Sequence, residues 1–162
     1  MYKKNILSSA VAGLMILGSS LSYGSSFESQ LRGINSSDKE VQLAAVRREY
    51  RAIEFIENPS LEAQLIAVNK NYHAIKHIKN PAKEAQLAAV NKSYHAIQYI
   101  KNPDKEAQLA AVKQSHQAIG FIKNPDKEVQ LAAVEHSYYA IKYIKEPDAD
   151  ALKLYYKKLM DK

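Results

Sequence analysis

The chain has 162 residues, 46% hydrophobic and 25% charged, which are the proportions of one compact domain and not of a disordered segment or a multidomain enzyme. It contains no cysteine, which excludes structural disulfides, cysteine-ligated zinc and thiol catalysis. The net charge of +6 is mild, so the placement of charge matters more than its sum.

Residues 1–24 read MYKKNILSSAVAGLMILGSSLSYG, with Lys3 and Lys4 ahead of an apolar run from Ile6 to Leu21 and then the small residues Ser22 and Gly24. This order predicts a secretory signal peptide cleaved after Gly24, because the run is short and interrupted by Ser and Gly for a span of about 20 residues. An uncleaved anchor is the competing reading. No cysteine follows the run, so a bacterial lipid anchor is not expected. Cleavage subtracts Lys3 and Lys4 from 23 basic residues set against 17 acidic ones, for a mature charge of +4. The expected destination is the periplasm or the exterior of a bacterium, with no stable membrane span after cleavage. Residues 25–36 follow, where Phe27, Leu31 and Ile34 fall at i, i+4 and i+7 and predict an N-terminal cap.

From here the chain is periodic. Pro59, Pro81, Pro103, Pro125 and Pro147 stand 22 residues apart without slippage, dividing it into units 37–58, 59–80, 81–102, 103–124 and 125–146, the first with Ser37 in place of proline. Each unit holds a segment Pro-x-x-Glu-(Ala/Val)-Gln-Leu-(Ala/Ile)-Ala-Val, as in Pro103 to Val112, preceded by Asn102. Asn is a good N-cap and Pro is favoured at the first helical position, so a short helix is predicted from the Asn-Pro pair; Asp104 or Asp126 would serve as caps instead, one turn later. A second segment, such as Ser93 to Lys101, starts on Ser or Asn in four units and repeats the Ala96, Ile97 and Ile100 positions in every one. Isoleucines three residues apart share a helical face, which predicts a second helix. One unit has too few large aliphatic side chains to offset the entropy of ordering 22 residues, so stability requires stacking. Residues 147–162 carry Leu152, Tyr155, Tyr156, Leu159 and Met160 as an apolar stripe and predict a C-terminal capping helix. The expected fold is all-α, an α-solenoid of short antiparallel helix pairs.

The Pro-x-x-Glu-x-x-Leu-x-Ala-Val and Ala-Ile-x-x-Ile frames, which cover residues 37–146, resemble short two-helix repeats of bacterial and viral proteins, a domain type of unknown function. The resemblance implies an all-α solenoid and carries no catalytic residues with it. More distantly, the spacing is similar to leucine-rich-variant repeats, which would put a 3₁₀ turn in place of the second helix.

In a solenoid, equivalent residues of successive units align in columns, and function is sought along them. Gln42, Gln64, Gln86, Gln108 and Gln130 form one column, read as a ladder bonding to neighbouring backbone at the Asn-Pro turns, with a ligand-binding polar track as the alternative. Tyr50, Tyr72, Tyr94, His116 and Tyr138 form a second column, and Phe55, His77, Tyr99, Phe121 and Tyr143 a third; partial core packing is expected of both, with an exposed recognition surface as the alternative. Lys79, Lys101, Lys123 and Lys145 form a basic column that Glu62, Glu84, Glu106 and Glu128 are expected to offset, so nucleic acid is not an expected partner. His73, His77 and His95 would be candidate zinc or copper ligands, although His77 stands in an aromatic column and no acidic ligand is near in sequence. Gly120, where other units carry a longer side chain, is either drift or a notch for a partner side chain between Gln98 and Lys142.

No glycine-rich phosphate loop or paired carboxylate set occurs, and Ser93, Ser115 and Ser137 read as caps, so neither an enzyme nor a bound cofactor is expected. The expected role is an exported scaffold that binds a protein or peptide through second-helix positions, namely Arg51, His73, Lys76, His95, Gln98, Gln117, Tyr139 and Lys142. The alternatives are histidine-mediated capture of a metal or small ligand in the periplasm, and a secreted effector directed at a host.

Overall fold

In a computed structural model, residues 38–161 are described, and they form a two-layered helical stack. The expected signal peptide, the cap at 25–36 and Ser37 lie outside the described residues. Five ten-residue α-helices, α1 (Lys39–Arg48), α2 (Leu61–Lys70), α3 (Lys83–Lys92), α4 (Lys105–Gln114) and α5 (Lys127–His136), build one layer. Each is followed by a six-residue 3₁₀ helix, η1 (Tyr50–Phe55), η2 (Tyr72–His77), η3 (Tyr94–Tyr99), η4 (His116–Phe121) or η5 (Tyr138–Tyr143), and these build the other layer. A final helix, α6 (Ala149–Met160), closes the array. Each α-helix packs on its neighbours, on its own 3₁₀ partner and on the 3₁₀ helix of the preceding unit, so the layers are staggered like bricks.

The expected solenoid of helix pairs is present, but the second member of each pair is 3₁₀ and not α. Its bonds run i→i−3: Ala96 N–H donates to Ser93 O at 2.9 Å and Ile100 N–H to Ile97 O at 3.2 Å. With three residues per turn, positions three apart eclipse, so Ile97 and the capping residue Ile100 both face the core. The three-residue isoleucine spacing fits this geometry better than the α-helical one.

One residue makes each corner between layers. Ser93 is extended; its N–H closes α3 on Ala89 O at 3.2 Å while its hydroxyl accepts from His95 N–H at 3.3 Å to open η3. Asn71 and Ser115 do the same for η2 and η4. At the start of α2, α4, α5 and α6 the cap is the residue after proline and not the one before it: Ser60, Asp104, Asp126 and Asp148 accept first-turn N–H groups, as Asp38, after Ser37, does for α1. Proline therefore sits just outside the helix, where its carbonyl is free to accept a side-chain bond. Ala82 holds the cap position of α3 and supplies no such bond.

The core is a repeated set of small and branched residues. Val46, Val68, Val90, Val112 and Val134 from the α layer meet Ile53, Ile75, Ile97 and Ile119 from the 3₁₀ layer, and alanines such as Ala67, Ala89 and Ala96 allow the close approach. α6 covers the end of this core through Ala151, Leu154 and Tyr155. The rest of its predicted stripe is not absorbed: Tyr156, Leu159 and Met160 face outward, Met160 at 80% exposure.

Candidate binding face

The glutamine column is a structural ladder. Gln86 Nε2 donates to Pro81 O at 2.9 Å within its own unit, and its Oε1 accepts from Asp104 N–H, the cap of the next unit, at 2.7 Å. Gln64 repeats this with Pro59 O and Ala82 N–H, and Gln130 with Pro125 O and Asp148 N–H. Gln42 Nε2 donates to Asn58 O at 3.2 Å while its Oε1 takes Ser60 N–H at 2.8 Å. Each glutamine thus ties two units together through groups that would otherwise be orphaned in a half-buried turn. Leu152 stands 22 residues after Gln130 in place of a glutamine.

The ladder is incomplete at one junction. Gln108 donates to Pro103 O at 2.8 Å but makes no bond to Asp126 N–H. Here Asn124 takes φ 53°, the left-handed region, the only non-glycine among the described residues to do so, and Asn tolerates it better than most side chains. A groove of about 460 Å³ opens beside this turn, lined by Phe121, Lys123, Tyr143, Lys145 and Glu146. Gly120 underlies it; a Cβ there would sit 3.4 Å from Tyr143 Cβ, so of the two readings of Gly120 the partner notch finds its space already occupied by the chain's own Tyr143.

The predicted contact residues occupy the second and fifth positions of the 3₁₀ helices, facing away from the core. Arg51, Lys76, His95, Gln98, Gln117, Tyr139 and Lys142 are exposed and His73 is half-buried. They are joined to the aromatic columns. His73 stacks on Tyr72 at 4.1 Å and reaches Tyr99 of the next unit at 5.5 Å; His95 packs on Tyr94 at 4.0 Å and reaches Phe121 at 6.1 Å. His116 meets Tyr143 at 5.9 Å, and Tyr138 meets Tyr139 at 4.2 Å, with the Lys142 ammonium 5.1 Å from the Tyr139 ring. At the first unit, Arg51 Nε donates to the Tyr50 hydroxyl at 3.3 Å, and this bond raises the guanidinium pKa above its usual value. The column of Tyr50, Tyr72 and Tyr94 packs partly on the core as expected. The column of Phe55, His77, Tyr99, Phe121 and Tyr143 turns outward along the array: Phe55 and His77 are half-buried, whereas Tyr99, Phe121 and Tyr143 are 36%, 44% and 42% exposed.

The charges arrange themselves differently from the expectation. Glu62 pairs with Lys39 at 3.1 Å, Lys83 with Asp104 at 2.8 Å, Lys105 with both Asp126 and Glu128, and Lys127 with Asp150. All of these lie at the starts of the α-helices, linking one unit to the next. Of the acids expected to offset the basic column, Glu62 and Glu128 pair with helix lysines; among the described residues Glu84 and Glu106 make no ion pair, and none of Lys79, Lys101, Lys123 and Lys145 makes one either. This basic column lies beside the aromatic one. Ile100 between Tyr99 and Lys101 is buried in an extended conformation, so its two neighbours project to the same outer side. These inter-unit pairs recur in the sequence at two Lys-to-acid spacings, 21 residues for Lys83–Asp104 and Lys105–Asp126 and 23 residues for Lys39–Glu62, Lys105–Glu128 and Lys127–Asp150.

The histidines are not brought together. In a 3₁₀ helix, four residues turn about 480° rather than 400°, so His73 and His77 lie about 120° apart. His77 Nδ1 lies 3.2 Å from Glu54 Oε2, while His73 and His95 are held on their own tyrosines. Among the described residues, no three His, Cys, Asp or Glu side chains converge on a metal-sized site. No helix of the described residues is long and apolar enough to cross a membrane. Comparison of the chain with protein-family models, with curated proteins and with solved structures finds no match.

Proposed function

We propose that this chain is an exported, non-enzymatic repeat protein that binds another protein or peptide along the outer face of its 3₁₀ layer. The observation that carries the reading is the outward row of Tyr99, Phe121 and Tyr143, each held by a ring contact with a histidine of the preceding unit, with exposed Tyr139 packed on Tyr138 beside it. Rigid exposed aromatic rings lose little entropy on binding and dominate interface hot spots. The polar residues of the same face, Arg51, His73, Lys76, His95, Gln98, Gln117 and Lys142, would form the rim. Export rests on the order of charge, apolar run and small residues in 1–24.

The test is affinity capture from a bacterial envelope extract with the wild-type chain and with a Tyr99→Ser/Phe121→Ser/Tyr143→Ser variant whose circular dichroism is unchanged. A protein retained by the wild type and lost by the variant supports the reading; equal recovery by both refutes it. Mass spectrometry of the exported form tests the leader, with a mature chain beginning at Ser25 as the expected result.

A further inference from the structure

We propose that the edge formed by Lys79, Lys101, Lys123 and Lys145 binds an extended acidic peptide, one carboxylate to each unit, with an apolar side chain seated between Phe121 and Tyr143. This rests on the reading of the 3₁₀ face as a binding surface and names its ligand class. The four lysines hold the same position in successive units, are exposed and lack ion-pair partners among the described residues, so each is available to an external carboxylate. The column is bounded: its first position is Glu57, and Glu146 follows Lys145. Glu57 at one end and Glu146 at the other confine an anionic ligand to the second through fifth units.

The spacing selects the ligand's conformation. Packed helices of successive units stand about 10 Å apart. Three residues of extended or polyproline II chain also advance about 9–10 Å, so an acid at every third residue keeps register with the lysines, whereas an α-helical ligand would need about seven residues for the same advance. The two residues between successive acids lie over the aromatic column, and the groove of about 460 Å³ takes one of them against Phe121 and Tyr143, flanked by Lys123 and Lys145. Each lysine supplies a compact positive charge with three rotatable donors on a flexible stem, which suffices to pair with one carboxylate. Nucleic acid fits less well: a duplex carries a charge about every 1.7 Å along its axis, far denser than one lysine per unit, and Tyr99, Phe121 and Tyr143 are held tilted at 53–58° against histidines instead of offering free stacking faces.

Fluorescence anisotropy with the full chain decides the matter. The probe is a labelled peptide of four Glu-Pro-Leu repeats, and the comparison is a peptide of identical composition with its four glutamates contiguous. The spaced peptide is expected to bind at least about tenfold tighter, to weaken with added salt, and to lose at least about tenfold in affinity to a Lys101→Glu/Lys123→Glu variant that keeps its circular dichroism. Equal affinity for the two peptides, indifference to the charge reversal, absence of binding by either peptide, or tighter binding of oligothymidine would each overturn the assignment. A partner captured through Tyr99, Phe121 and Tyr143 whose binding ignores the lysine reversal overturns it too, while leaving the broader reading standing.

Discussion

Replacing Gln86 with Leu separates the two halves of an inter-unit bond without changing the volume much. Gln86 is 7% exposed; its loss orphans the Asp104 N–H, now held at 2.7 Å, and the Pro81 carbonyl, now held at 2.9 Å. Each abandoned group costs about 1–3 kcal/mol, and since Asp104 is half-exposed and can turn part of the way to water, the sum comes to about 2–4 kcal/mol. At about 3–5 °C per kcal/mol for a domain of this size, Tm should fall by roughly 10 °C. Gln108→Leu is the internal control. Gln108 makes only the donor half of the bond and is less buried than its equivalents, so the same replacement there should cost about half as much. Urea unfolding followed by circular dichroism, with unchanged m-values, measures both. A Gln86→Leu variant within about 0.5 kcal/mol of wild type, or a Gln108→Leu variant equally destabilised, would refute the ladder as a source of stability.

Ala82→Asp should stabilise the chain by about 1 kcal/mol, because Ala82 already has the backbone angles of Asp104 and lacks only the side-chain acceptor; thermal unfolding with no rise in Tm would count against this cap assignment. The Lys83 ammonium and the Glu106 N–H hold the Asp104 carboxyl below the ordinary carboxylate range, the Val129 N–H and Lys105 do so for Asp126, and Lys127 for Asp150. Their stabilisation is therefore complete above the ordinary pKa of about 4 and lost as pH falls through the lowered values, while that of Lys83, Lys105 and Lys127, whose pKa values are raised, is complete below about 10 and lost above it. Asp126→Asn should shrink the acid-side drop in Tm; an undiminished drop would assign it to other groups. Deleting residues 81–102 joins Asn80 to Pro103 and should leave a folded array one unit shorter, with the Gln64 Oε1 accepting from Asp104 N–H, whereas deleting residues 81–91 should abolish cooperative unfolding.

Much of the architecture was legible because repetition amplifies weak local signals. One Gln in a short helix carries no information, but five at the same step, in a position beside the core, could hardly be anything but a bonded column. The capping Ser and Asn residues were equally readable, since their preference for helix starts comes from their own side chains. The Asn-Pro junction misled by one turn: Asn102 and Asp104 are both good caps, and the choice falls to Asp104 because Pro103 O is needed by Gln108.

What the residue order settled is the period, the number of units, the faces that are buried and the ladder between them, because each follows from which side chains recur and how far apart. Three things waited for the folded stack. The winding of the second segment is one, since six residues close too few bonds to separate 3.0 from 3.6 residues per turn until the neighbouring units press Ile97 and Ile100 into line. The partners of the lysines are another: Asp104 lies 21 residues from Lys83, Asp126 21 from Lys105 and Asp150 23 from Lys127, each at the start of the next α-helix, and only stacking brings them within reach. The last is the outward turn of Tyr99, Phe121 and Tyr143, a matter of how much of each ring the adjoining unit covers.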